Sequence, residues 1–160
     1  MPPEWTLRQG RENDIRAMYL LDLVCFDEPF RFDQRSMRRF ALQVGALVVV
    51  AESDTKLAGF VVVHLVRKAK RTVGYVVTVD VAREFRRRGL ARTLIAEVER
   101  QAAQAGAAEM ALHVHTGNEA AIAFYERSGY SRGIACKSFY GDRLDGWTYV
   151  KQLTGTSPRR

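Results

Sequence analysis

Apolar residues recur along this chain at two periods, and the switch between them marks out the elements. Ala17, Leu20, Leu21 and Val24 fall at i, i+3, i+4 and i+7, the stripe of an amphipathic helix. The polar cluster Glu12-Asn13-Asp14 supplies its start, and Gly10 ends a short strand candidate at Trp5–Arg8. Pro29 closes the helical region. Asp33 is placed to cap a second short helix running through Met37, Phe40 and Leu42. Leu47–Glu52 and Leu57–Val66 read as strands joined by the turn Ser53-Asp54-Thr55-Lys56, a hairpin. The basic turn Lys68-Ala69-Lys70-Arg71 leads into a third long strand, Thr72–Val81. Leu90, Leu94, Ile95, Val98 and Ala102 then line one side of a helix over Gly89–Ala105, with Gly106 as its C-terminal cap. A strand over Glu109–His115 and a helix over Glu119–Ser128 follow, with Gly129 closing that helix. Arg132–Phe139 and Trp147–Leu153 read as two last strands around a Gly/Asp-rich loop. Thr154–Arg160 reads as a polar, disordered tail. The order β-α-α-β-β-β-α-β-α-β-β predicts an α/β (α+β) protein. It implies one domain over residues 1–153, with a mixed, largely antiparallel sheet of six to seven strands and helices on both faces.

One junction works against the electrostatics of its own helix. Arg86, Arg87 and Arg88 crowd the start of the long helix, and a helix start carries roughly +0.5 charge of its own. Three cations there repel the dipole unless an anion sits at that end, where backbone N–H groups point outward. Gly89 and Ala91 are small enough to let a phosphate approach the backbone closely. No G-K-[ST] follows and no G-x-G-x-x-G is present, so neither the Walker loop nor the dinucleotide fingerprint applies. The junction reads as a phosphate site, against the competing reading of a solvated arginine turn.

Arg86-Arg87-Arg88-Gly89-Leu90-Ala91 resembles the R/Q-x-x-G-x-G/A pyrophosphate loop of the GNAT acyltransferase superfamily. A second block, Asn118-Glu119-Ala120-Ala121-Ile122-Ala123-Phe124-Tyr125-Glu126-Arg127-Ser128-Gly129-Tyr130, resembles that family's N-x-x-A-x-x-x-Y-x-x-x-G-[FY] helix. The resemblance extends from about Trp5 to Leu153 and implies the GNAT fold, with acetyl-CoA as the acetyl donor. It assigns the donor to the backbone of Val79 and Val81, to Arg86, Arg87, Arg88, Gly89, Leu90 and Ala91, and to Asn118 and Tyr125. Gly74–Val81 (GYVVTVDV), Leu112–Val114 (LHV), the Asn118 block and Lys137–Tyr140 (KSFY) together resemble the enzymes that acetylate ribosomal-protein alanine and other protein N-termini. Two places depart from the pattern. Ala82-Arg83-Glu84 lacks the proline often found after this strand, and Gly141–Gly146 differs from the usual peptide-binding hairpin, which leaves substrate choice open.

The strand Glu109–His115 has a clear period of two, with Met110, Leu112 and Val114 on one side and Ala111, His113 and His115 on the other. His113 thus lies away from the apolar side of its own strand. The resemblance makes His113 and Tyr75 joint holders of a water that acts as general base; the competing role for His113 is structural. Tyr125 matches the tyrosine that protonates the departing thiolate, a role compatible with packing of its ring. By pattern alone Asn118 is an N-cap. An amine must be neutral to attack a thioester. At pH 7 that costs roughly 1.4 kcal/mol for an α-amine and about 4.6 kcal/mol for a lysine. A water held by histidine and tyrosine suits the first better than the second. By resemblance, Phe26, Asp27, Glu28, Pro29 and Phe30 form the loop that grips a peptide, and Phe139 and Tyr140 bracket its backbone. Asp27, Glu28, Asp142 and Asp145 are candidates to hold the cationic amine, or are simply solvated.

Composition sets the outer limits. The formal net charge is +7, divided between a role for the coenzyme phosphates, an RNA-rich neighbourhood such as the ribosome, and a generally basic surface. The two cysteines, Cys25 and Cys136, show no metal or redox spacing and read as reduced thiols in a cytoplasmic protein, with Cys136 in the core. No metal is expected. No run of apolar residues spans a membrane, and the start lacks a secretory pattern. The expected partner is a protein or peptide N-terminus such as that of a ribosomal protein, with no nucleic acid required and a monomeric or weakly dimeric state. The rivals are acetylation of a small amine, such as a polyamine or an antibiotic, and a non-catalytic acyl-CoA- or RNA-binding module.

Overall fold

The structure is a computed structural model that describes residues 4–141 and 144–153. The proposed tail and Asp142 lie outside the described residues. The elements are β1 (Thr6–Gln9), α1 (Ile15–Cys25), α2 (Gln34–Leu42), β2 (Ala46–Ser53), β3 (Lys56–Lys68), β4 (Arg71–Val81), α3 (Leu90–Gln104), β5 (Ala107–His115), α4 (Glu119–Arg127), β6 (Ser131–Cys136) and β7 (Gly146–Gln152). Short 3-10 turns at Glu12–Asp14 and Arg83–Phe85 lead towards α1 and α3. This is the order expected from the sequence. Asp33 caps α2 by accepting from the Ser36 N–H at 2.7 Å, and Asn118 caps α4 by accepting from Ala121 N–H at 3.1 Å.

Strand β6 ends three residues before the expected Phe139. Ser138 takes a φ of +54°, which ends the extended run. Lys137–Gly141 instead folds back as a turn, and the Asp145 carboxylate accepts from the Ser138 N–H at 2.8 Å. That turn is what brings Phe139 and Tyr140 back over the sheet.

Seven strands form one sheet in the order β1-β2-β3-β4-β5-β7-β6. All pairings are antiparallel except β4 with β5. Two apolar layers cover it. On one face α3 lays Leu90, Leu94, Ile95, Val98 and Ala102 against Val61, Val63, Met110 and Leu112, with Ile122 and Tyr125 of α4 alongside. On the other, Ile15 and Met18 of α1 and Met37 of α2 pack on Val50, Phe60 and Val62. Gly59 permits the tight fit of α3, because a Cβ there would meet the Asp80 carbonyl at 2.7 Å and Leu90 and Leu94 at 3.3 Å.

The sheet is open at its centre. β4 and β5 pair only over Thr72–Tyr75 and Ala107–Ala111, after which β4 continues to Val81 bonded to β3 while β5 continues to His115 bonded to β7. The two strands part like the arms of a V. Unpaired strand edges demand partners, so this gap is where an extended ligand can add its own hydrogen bonds. The β3–β4 register also slips by one residue at Val77, between the pairs Val62–Thr78 and Val63–Val76.

Candidate active site

One arm of the V leads to the loaded helix start. Gly89 stands at φ +85°, a conformation that L side chains rarely adopt, and open space surrounds it: a Cβ there would meet nothing within 4 Å. Arg87 also has a positive φ, +63°. The first helical bond runs from Thr93 N–H to the Gly89 carbonyl at 3.0 Å. The preceding N–H groups are therefore the donors every helix start leaves over. This exposed, glycine-opened row of N–H groups, continuous with the free edge of β4, fits a phosphate followed by an extended chain.

The Arg86 and Arg88 side chains have partners within the protein. Arg86 folds back along the surface, its Nε donating to the Val81 carbonyl at 3.0 Å and its Nη2 reaching Cys25 Sγ at 3.5 Å. Arg88 pairs with Glu4. Arg86 thus braces the end of β4, and the groups left open at this junction are backbone N–H donors.

At the fork of the V, Tyr75 Oη lies 2.9 Å from His113 Nδ1. Tyr75 comes from β4 and His113 from β5, 38 residues apart, and the short parallel pairing makes them neighbours. Burial pushes the Tyr75 phenol up to about 12. Burial first, and then the charge of Lys68, lower the His113 pKa below its ordinary value of 6.5. The imidazole is accordingly neutral at pH 7, the form that can accept a proton. Its ring stacks on Phe139 at 3.9 Å between centroids and 12° between planes.

Tyr125 reaches the same gap from α4. Its ring packs edge-on to Tyr130 at 5.6 Å, joining the α3-side core. Burial, helped by Asp80, Tyr140 and Tyr75, pushes its phenol well above the ordinary value of 10. Three phenols from β4, α4 and the β6–β7 turn thus share one low-dielectric space and keep their protons.

The mouth on the α1 side is aromatic. Phe30 in the α1–α2 loop lies 5.0 Å from both His115 and Tyr140, and Phe139 and Tyr140 meet edge-on at 4.9 Å. Phe26 is half-buried in the loop, while Asp27, Glu28 and Pro29 are exposed. Glu28 reaches Arg31 at 3.4 Å. With Asp145 committed to Ser138, two of the proposed amine-holding acids are engaged within the protein.

His115 is a site residue that the sequence reading did not assign. Its alternation with His113 was the available signal. Cys136 is half-buried beside the site instead of in the core, with its Sγ 3.6 Å from Thr148 Oγ1. A buried carboxyl pair, Asp22 and Asp80, was also missed. Among the described residues, no group of three or more His, Cys, Asp or Glu is placed to hold a metal, and no helix is long and apolar enough to cross a membrane.

A sequence profile of the acetyltransferase (GNAT) family matches residues 15–130. An N-alpha-acetyltransferase of Saccharolobus solfataricus is 26% identical over 166 residues, covering 94% of each chain. Ard1 from Thermoplasma volcanium superposes with a TM-score of 0.83 at 21% identity, covering 94% of this chain and 99% of that one. Arabidopsis thaliana NAA60 in complex with acetyl-CoA gives 0.82 at 22% identity, with 94% and 99% covered.

Proposed function

The chain belongs to the acetyltransferase (GNAT) family, and from that premise we propose that its acceptor is the α-amino group of a protein N-terminus. It is an N-acetyltransferase with acetyl-CoA as donor. The observation that carries the acceptor proposal is the hydrogen-bonded Tyr75–His113 pair set beneath the aromatic mouth of Phe30, Phe139 and Tyr140. A mouth walled by aromatic rings suits a peptide backbone. A small polyamine would call for a closed acidic pocket, and the acids at this mouth are exposed or engaged. The named relative, an N-alpha-acetyltransferase matching along nearly the whole chain, supports the same reading.

The donor supplies an acetyl thioester. The N–H groups of Arg87–Ala91 hold its pyrophosphate, the β4 edge at Val79 and Val81 holds its pantetheine arm, and Asn118 fixes the start of the α4 helix beside it. The Tyr75–His113 pair, through a water, removes the proton that the α-ammonium must lose. The cost of about 1.4 kcal/mol at pH 7 is within reach of a neutral imidazole. Tyr125 donates a hydrogen bond to the sulfur as negative charge develops there. Full transfer from a phenol to a thiolate is uphill by about 2 kcal/mol even at ordinary pKa values. Burial lifts Tyr125 further, so the phenol acts as a held donor and the proton balance is met by the ammonium.

A library of peptides with free and blocked N-termini, assayed beside polyamines with acetyl-CoA, tests this. Turnover confined to free peptide α-amines is expected. Faster turnover of a polyamine than of any peptide overturns it.

A further inference from the structure

Two carboxyl groups, one on β4 and one on α1, lie buried with no ion pair to a cation among the described residues. Asp22, in the last turn of α1, has none of its surface exposed, and Asp80, on β4, only 1%. Each uses one oxygen. Asp22 Oδ2 accepts from the Phe32 N–H at 2.8 Å, which ties down the far end of the α1–α2 loop. Asp80 Oδ1 accepts from the Thr78 hydroxyl at 2.6 Å. The remaining oxygens, Asp22 Oδ1 and Asp80 Oδ2, are buried without a donor among the described residues. The two side chains lie within hydrogen-bond reach of each other. Two ionised carboxylates so placed would repel in a medium that cannot screen them. A proton between the two carboxyls would supply a donor to a pair in which each carboxyl has an oxygen without one.

We propose that Asp22 and Asp80 share one proton, and that this bridge is a positioning device that holds the acceptor loop against the donor strand. The loop is anchored at one end through Phe32, and the strand carries the edge that receives the donor. The acceptor half of the statement rests on the N-terminal reading above; the shared proton does not. Around the pair, α1 and α4 bring neutral groups, and the β4–α3 junction brings one opposing cation. From α1, Cys25 is a neutral thiol whose own pKa is raised by burial and by Asp80. From α4, Tyr125 is a protonated phenol. From the β4–α3 junction, Arg86 favours ionisation, but burial and the facing Asp22 outweigh it and raise the Asp80 pKa well above the ordinary 3.8. On the β3 and α2 side the packing is apolar, through Phe60, Val62 and Met37. His64 is turned away to the Phe40 carbonyl at 2.9 Å.

The test uses Asp80→Asn, which puts an amide N–H where the proton would be and keeps the single negative charge. Asp22→Asn is its mirror, should the first fail to fold. Infrared spectra at neutral pH should show a protonated-carboxyl stretch in the wild type that either variant lacks. Its absence from the wild type overturns the shared proton. The native state holds a proton that the unfolded chain releases at the ordinary aspartate range. Wild-type thermal stability should therefore decline as pH rises from that range through the raised value, and the Asn variant should lose this slope. An unchanged slope counts against the proposal. For coupling, Asp80→Ala should raise the peptide KM about tenfold, as for one lost buried hydrogen bond, and leave acetyl-CoA affinity unchanged. Asp80→Asn should keep the wild-type KM at neutral pH. A KM unmoved in Asp80→Ala overturns the coupling. Should the wild type turn over no peptide, the acceptor reading fails, while the infrared and stability measurements still decide the proton.

Discussion

The two arms of the V are built by different means. The arm we propose for the donor is made of backbone: an exposed strand edge, a glycine at φ +85° and the leftover N–H groups of a helix. Of its arginines, Arg86 braces the end of β4 and Arg88 pairs with Glu4 at the surface. The acceptor arm is made of side chains: Phe30, His113, His115, Phe139 and Tyr140, drawn from two loops and one strand. A backbone site reads what all donors of one class share. A side-chain site reads what distinguishes one acceptor from another.

The sharpest way to break the contrast is at Gly89. Gly89→Glu forces a side chain into a left-handed conformation and places a negative charge at the helix start. Acetyl-CoA affinity should fall by at least a hundredfold in calorimetry. Undiminished binding would remove the donor site from this arm.

Next is His113→Ala. The kcat/KM for peptide should fall by about 10²–10⁴. The wild-type acid limb, which lies below pH 6.5 because burial lowers the His113 pKa, should vanish. The sign follows from the role: protonation at low pH removes the base, so activity rises with pH through that pKa. Tyr75→Phe should act in the same direction but less, and the double variant should be little worse than His113→Ala. A weaker acetyl-CoA affinity with an unchanged pH profile would instead make His113 a packing residue.

Tyr125→Phe removes one hydrogen bond to a developing charge. A loss of about 10- to 100-fold in kcat with unchanged acetyl-CoA affinity is expected. An unaltered kcat in single-turnover measurements would leave Tyr125 only its place in the core.

The smallest effect belongs to the aromatic mouth. Phe30→Ala should raise the peptide KM by about three- to tenfold, without touching acetyl-CoA affinity, through loss of a partly buried ring contact. An effect on donor affinity instead would mean that the two arms are not separate.

The sequence made the donor arm legible because its cues are local. The Arg86–Ala91 motif, the helix stripe from Leu90 to Ala102 and the Asn118 cap each lie within a few residues of what they build. Tyr75 and His113 were legible as a pair only through resemblance, since neither strand names its neighbour. Three features were out of reach. The contact of Arg86 with Cys25 depends on where α1 ends. The meeting of Phe30 with Tyr140 depends on two loops more than a hundred residues apart. The Asp22–Asp80 contact depends on α1 lying across β4, and Asp22 looks in sequence like an ordinary polar position on an amphipathic helix.

The one-residue slip at Val77 has a consequence for all of this. Tyr75 and Asp80 stand five apart, an odd number, and strict alternation would send them to opposite faces of β4. Yet both lie on the α1 side, one bonded to His113 and the other facing Asp22, while Val79 and Val81 turn to the α3 layer. The slip is a change of phase halfway along a wave. It lets a single strand carry two messages written in opposite parity, the proton-handling group before it and the carboxyl clamp after it. Deleting Val77 would leave the composition nearly untouched and swap the faces of everything on one side of it. The spacing of this strand is therefore under tighter constraint than the identity of most of its valines.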